Sequence, residues 1–265
     1  MKSLLVPTDF SKPASTALKY AIHLANAFGG KLDIVHFYKT IEKAGQLKSM
    51  DPILRREAED QMHELVETHR SALNEGVNIN THIYEGYPAA MLAKLSEQQN
   101  VDLIVMGTQG ASRAIDVFLG STACAVVRKT STPTLIIPGE AEFSPIRSVV
   151  FAMDNRELEG ELLSPLRKLC GQFSPSVHLF NVSQDDSSTQ RESKLDEELD
   201  NCACTIVVRD GEDVIEEIGN YSKEINADLI VMVRHSKSFF AKIFQGSHTK
   251  KEIFRTEVPL LILHD

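Results

Sequence analysis

The sequence repeats itself, and that constrains its fold more than any other feature. Ser3-Leu4-Leu5-Val6-Pro7-Thr8-Asp9 matches Ser148-Val149-Val150-Phe151-Ala152-Met153-Asp154 at an offset of 145. VDLIVMG at 101–107 matches ADLIVMV at 227–233 at an offset of 126. Gly120-Ser121 and Gly246-Ser247 keep that second offset, as do PTLII at 133–137 and PLLIL at 259–263. The second copy is therefore about 19 residues shorter, and the loss falls between its second strand and Gly211. A long helical pattern at 52–75 shrinks there to something like 190–200.

Within a copy, strand and helix patterns alternate. SLLVP is a continuous apolar run, as expected of a parallel strand covered on both faces. Pro13 opens a predicted helix that runs to about Phe28 and stops at Gly29-Gly30. LDIVHF is the next strand. Arg55 to Asn74 carries Met62, Leu65, Val66 and Leu73 at helical spacing. NINTHIY alternates like a strand, Pro88 to Gln99 reads as helix, VDLIVM as strand, Ser121 to Lys129 as helix and PTLIIP as the last strand. That order gives an α/β fold, a parallel sheet with helices on both faces joined by right-handed crossovers. Two tandem domains are expected, 1–140 and 146–265, joined by the short segment GEAEFSPI.

Bulk properties narrow the function. Net charge is −9, and a split at residue 143 leaves −2 on the first half and −7 on the second. A general nucleic-acid binder needs a basic face, so that class is set aside. No apolar run reaches membrane-spanning length. MKSLLVPTDF meets Pro7 and Asp9 too early for a secretory segment, and four scattered cysteines make no disulfide framework. A reducing, cytoplasmic setting is expected.

The chemistry concentrates in MGTQGASRAIDVFLGST, residues 106–122. This loop leaves the carboxyl end of a strand and feeds a helix near Gly120. In open α/β sheets that is where ligands sit. Backbone N–H groups and the positive end of the helix dipole converge there. Ser121 and Thr122 add hydroxyls, and Arg113 adds charge. The same loop composition also serves merely to turn the chain, so both readings stand on these grounds. It contains neither GxxxxGK[ST] nor GxGxxG.

Gly107-x-x-Gly110, nine residues, then Gly120-Ser121-Thr122 resembles the nucleotide motif of the universal stress protein family. LLVPTDFS resembles that family's opening strand, with an Asp closing it, and TPTLIIP its last strand. The resemblance spans nearly the whole chain as two tandem copies. It implies two Rossmann-like domains, each a five-stranded parallel sheet of order 3-2-1-4-5. It implies an ATP site in the first copy, with Mg²⁺ as an optional companion ion. Pro7, Thr8 and Asp9 would line the adenine end, and Val35 would pack against base or ribose. Met106 and Gly107 would meet the ribose, while Gly110, Gly120, Ser121 and Thr122 would hold the phosphates. The last strands of the two domains would pair as an intramolecular pseudo-dimer, and a homodimer is a further expectation.

The second copy departs from the pattern. Val233 replaces Gly107, Ser236 replaces Gly110, Arg234 replaces Thr108 and His248 replaces Thr122. A simple turn would not require glycine at 107 and 110, so a ligand best explains them. The first copy is expected to bind ATP and the second not.

Other residues attract plainer readings. Asp9 is read as an adenine or helix-capping contact rather than a catalytic acid. His63 and His69 lie six apart on one helix, too far for an HExxH zinc pair. Cys202 and Cys204 open a predicted strand and are read onto opposite faces. Phe239, Phe240, Ile243 and Phe244 are read as packing over a vacated pocket. The leading function is a cytoplasmic stress-response protein binding ATP as a sensor or regulatory module. Slow ATP hydrolysis, in a chain with no evident general base, and a nucleotide-independent interaction scaffold are the alternatives.

Overall fold

The apolar runs that recur in both copies become the central strands of one sheet. A computed structural model describes residues 1–39, 51–108, 120–153, 160–182, 199, 202–211, 213–234 and 257–265. The first unit comprises β1 (Ser3–Thr8), α1 (Lys12–Phe28), β2 (Lys31–Tyr38), α2 (Asp51–His69), β3 (Asn78–Glu85), α3 (Pro88–Gln98), β4 (Leu103–Gly107), α4 (Ser121–Lys129) and β5 (Thr134–Ile137). The second comprises β6 (Ser148–Ala152), α5 (Ser164–Phe173), β7 (Ser176–Val182), β8 (Ala203–Arg209), α6 (Val214–Glu224), β9 (Leu229–Arg234) and β10 (Leu260–His264). The shortened helix expected at 190–200 lies outside the described residues apart from Leu199.

Strand order is β3-β2-β1-β4-β5-β10-β9-β6-β7-β8. Each unit thus reads 3-2-1-4-5 from its outer edge inward, with parallel neighbours. The sole antiparallel pair among the described strands is β5 with β10, and it fuses the two sheets into one. Leu135 lies directly opposite Leu261 in that pair, and the 126-residue offset makes these two positions equivalent. Phe28 and Phe173, equivalent at offset 145, meet edge to face at 6.0 Å.

Side chains alternate between the two faces of the strands, as the period of two demands. Leu4 and Val6 enter one apolar cluster and Leu5 the other. Both clusters contain residues of both units. The helix α1 begins on Ser11, whose hydroxyl accepts the Ala14 N–H, and ends on Gly29 at φ 58°. Only a residue without a Cβ takes that left-handed cap cheaply. Its apolar stripe, including Ala17, Leu18, Ala21 and Leu24, is buried against the sheet.

One expectation about the cysteines is corrected. Cys202 and Cys204 do not face opposite ways, because positions two apart share a strand face. Both pack against the same cluster as the buried Cys170, and Cys170 and Cys202 are hydrogen-bonded. Burial pushes both thiols up, which keeps them in the unreactive neutral form.

The repeated Asp-Leu-Ile-Val has a structural cause. Asp102 Oδ2 accepts the N–H groups of Lys2 (2.7 Å) and Ser3 (3.1 Å). Asp228 Oδ2 likewise accepts those of Arg147 (2.8 Å) and Ser148 (3.0 Å). Each carboxylate ties the start of a unit's first strand to the start of its fourth. Asp102 also receives Lys168 Nζ at 2.6 Å from the other unit. Burial alone would raise the Asp102 carboxyl, but the Lys168 ammonium and the two backbone N–H groups outweigh it and hold it below its ordinary value of 3.8. A depressed carboxylate stabilises the fold above its unfolded-state pKa, and that stabilisation is lost as pH falls through the folded-state value. Asp102→Asn should therefore cost about 1–2 kcal/mol at neutral pH. Urea denaturation across pH should show the gap to the unmodified chain closing in acid.

Candidate functional site

The turn from β1 into α1 is held by its own side chains. Thr8 Oγ1 accepts the Phe10 N–H at 3.0 Å, and Asp9 Oδ1 accepts the Ser11 N–H at 3.1 Å and the Ser11 hydroxyl. Such local side-chain bonds are how Thr and Asp build turns. Between them Phe10 sits at φ 60°, a left-handed conformation costly for an aromatic residue. The Phe10 ring packs on His36 at 4.5 Å, and His36 Nδ1 lies 2.8 Å from the Thr8 carbonyl oxygen. These contacts hold Asp9 at the carboxyl end of β1. Asp9 is thus tied to the residue that caps α1.

A second turn approaches the same place from β4. Thr108 N–H donates to the Ile137 carbonyl (3.0 Å), and the Thr108 carbonyl accepts the Gly120 N–H (2.6 Å). The chain therefore leaves at Thr108 and returns at Gly120, beside it. Gly120 starts α4 without any side-chain cap. The N–H groups of the first helical turn have no intrahelical acceptor, and Arg128 and Lys129 complement the opposite end of the dipole.

A cavity lies between these turns. Pro7, Thr8 and Asp9 line one side, and Met106, Gly107 and Thr108 the next. Gly120, Ser121, Thr122 and Ala123 close the α4 side. Of the expected site residues, the structure brings together Pro7, Thr8, Asp9, Met106, Gly107, Gly120, Ser121 and Thr122. Gly110 and Arg113 lie outside the described residues, as do Phe239, Phe240, Ile243 and Phe244. No described lining residue is cationic. The cavity offers hydroxyls, helix-start N–H groups and one carboxylate on its polar side. Its apolar side is Pro7, Phe37, Pro88 and Met106.

Val35 is not part of that lining. It is fully buried in the core beneath. The strand runs on to Tyr38, so the same-face residue that reaches its carboxyl end is Phe37, two positions later. Phe37, Pro88, Ala14, Thr108 and Ala123 are lining residues that the sequence reading missed. Phe37 was discoverable from the alternation of β2. Pro88 opens α3, and its place depends on a crossover that sequence periodicity does not report. Just after β2, the Lys39 ammonium stands 3.8 Å above the ring of Tyr87, the residue before α3, a cation–π contact.

Gly107 needs a different explanation from the one its repeat suggested. A Cβ there would lie 2.9 Å from the Pro13 carbonyl oxygen and 3.1 Å from its carbon. The first turn of α1 runs directly over it. Glycine at 107 is thus required by helix packing, whatever the cavity holds. On the α2 segment, His69 Nδ1 lies 2.9 Å from the Leu65 carbonyl oxygen, and Glu67 pairs with Arg70 at 2.6 Å. Gly107→Ala should lower stability by about 1–3 kcal/mol, an overpacking cost. Denaturant titration without added ligand should register the loss.

Comparison with known proteins follows the same division. The family model described as the universal stress protein family matches residues 1–138 and again 145–264. A universal stress protein of Methanocaldococcus jannaschii is 28% identical over 141 residues, covering 51% of this chain and 81% of that protein. One from Thermus aquaticus is 29% identical over 136 residues, covering 51% of this chain and 98% of its own length. Each thus corresponds to about half of the chain. The crystal structure of a universal stress protein from Archaeoglobus fulgidus covers 98% of this chain and 97% of its own, with a TM-score of 0.78 and 22% identity. That likeness concerns the fold across both units. With two matched segments spanning nearly its full length, the chain belongs to the universal stress protein family.

Proposed function

We propose that this chain is a cytoplasmic stress-response protein that binds ATP in its first unit, residues 1–140, as a sensor or regulatory module. The observation that carries the reading is the convergence of the uncapped α4 start with the β1 and β4 ends on one cavity. The N–H groups and hydroxyls of Ser121 and Thr122 suit a phosphate chain. Phe37, Pro88 and Met106 offer apolar surface to a base, and Asp9 offers an acceptor to a sugar hydroxyl or a base N–H. Mg²⁺ would enter with the phosphates.

The second unit, residues 146–265, does not bind ATP in this reading. Arg234 stands where Thr108 stands in the first unit, and its Nε–H donates to His264 Nδ1 at 2.9 Å. Val233 brings a Cβ where Gly107 has none. The two units act together as a pseudo-dimer within one chain, through β5 and β10.

Calorimetry should find one ATP per chain, and two equivalent sites would overturn the assignment. Gly120→Leu should weaken ATP binding about tenfold or more by blocking the approach to the α4 N–H groups. Unchanged affinity in that variant would remove α4 from the site. Nucleotide extracted from the purified chain should be intact ATP, whereas multiple-turnover release of product would favour the hydrolase.

A further inference from the structure

Three of the chain's four cysteines come together in the second unit. Cys170 lies on α5 and is buried. Cys202 sits in a turn just before β8, where its N–H donates to the Leu199 carbonyl at 2.9 Å. Cys204 follows on β8, opposite Val177 on β7. All three pack into one apolar cluster. Packing by itself does not call for sulfur at these positions. The offset of 145 and the registers of β2 with β3 and of β7 with β8 make Ala25, Val77 and Ile79 their counterparts in the first unit. Those three belong to the same cluster and bring only hydrocarbon to it.

The surroundings of the thiols give them different roles. Cys170 and Cys202 are in hydrogen-bond contact. Cys202 is partly exposed, so a solute can reach it, whereas Cys170 is 1% exposed. Burial disfavours the charged form of both. Their mutual hydrogen bond then favours the thiolate of Cys202 and disfavours that of Cys170. When one of the pair ionises it is therefore Cys202, with the Cys170 S–H donating to it. The thiolate is the nucleophile. A reachable sulfur with a second thiol already against it ends its oxidation in a disulfide rather than in higher oxyacids.

We infer that Cys202 and Cys170 are an oxidisable pair, a modification site for hydroperoxides at which Cys202 reacts first and Cys170 resolves. The Cys202 thiolate attacks one peroxide oxygen. The O–O bond breaks, and the departing hydroxide takes up the proton that Cys202 released, leaving a sulfenic acid. The Cys170 sulfur then attacks the Cys202 sulfur. The S–O bond breaks, and the hydroxide leaves with the Cys170 proton as water. Two thiols and one peroxide thus give one disulfide and two waters, each sulfur giving up one electron. The bond ties α5 to the start of β8, the outer strand of the sheet in this unit. The reaction is slow while both thiols are neutral, and it quickens as pH rises toward the ordinary thiol value of 9.0.

The test treats the full chain carrying Cys204→Ser with excess hydrogen peroxide and maps its peptides by mass spectrometry after alkylation. The expected product is a Cys170–Cys202 disulfide within one chain, with both thiols lost to alkylation and both regained on reduction. Hydrogen exchange across β8, residues 203–209, should slow in the oxidised chain. In Cys170→Ala, Cys202 should stop at the sulfenic acid and take up dimedone, while Cys204 should not. The Cys204→Ser experiment stands without that variant. Thiols that survive peroxide, or a disulfide between two chains, overturn the inference. So does a Cys170–Cys204 bond in the unmodified chain, or exchange across β8 that oxidation leaves unchanged.

Discussion

The antiparallel pairing of β5 with β10 is the constraint on which the rest of the molecule depends. In a parallel 3-2-1-4-5 sheet the fifth strand is an edge, and Thr134, Leu135, Ile136 and Ile137 are all buried here. Left open, such a strand would offer an unpaired, apolar template to other chains. Its best available partner is its own repeat, which is one residue longer and has the same apolar character. Two copies of one strand pair isologously only when antiparallel, around a twofold axis. Leu135 opposite Leu261 marks that axis. The meeting of Phe28 with Phe173 and the reach of Lys168 to Asp102 follow from it.

The same symmetry makes the differences between the units interpretable. Gly107 is glycine because α1 begins against it, at a distance that no Cβ tolerates. At the equivalent position the second unit carries Val233. The described helix of the second unit begins only at Ser164, after a 3-10 turn at Gly160–Leu163. The requirement for glycine at 107 in the first unit is thus set by how closely α1 approaches β4. The case for a ligand in the first unit rests instead on the α4 start. There an uncapped turn, two hydroxyls and the β1 turn meet around a cavity, and none of the described packing contacts accounts for that arrangement.

Much of the fold was legible in the sequence because its signals are local. Alternating apolar runs, Pro13 and Pro88 at helix starts, and Gly29 after Phe28 mark elements whose causes act within a few residues. The duplication then doubled every signal. The candidate site was legible only in part. Pro7 to Asp9 and Gly120 to Thr122 announced themselves through position and hydroxyl chemistry. Phe37 was missed because β2 extends past its apolar core to Tyr38, which shifts the wall position by one period. The cysteine faces were misread by the same period of two. The place of Pro88 and the Asp102–Lys168 ion pair are set by crossovers and by the seam, and no short window of sequence reports either.

Hydrophobic periodicity and the repeat by themselves determined that this chain forms two α/β units, and the glycine–hydroxyl loop determined where a ligand would be sought. Tertiary structure alone decided three things. It decided that the two sheets run into one through β5 and β10. It decided that Gly107 answers to a helix rather than to a turn. And it decided that the joining segment packs across α1 at the seam, with Phe143 on Tyr20 and His23. The physical reason is the range of the interactions. Propensity and capping act between neighbours, whereas strand pairing, the clearance at a Cβ and the filling of a groove depend on atoms brought together from more than a hundred residues apart.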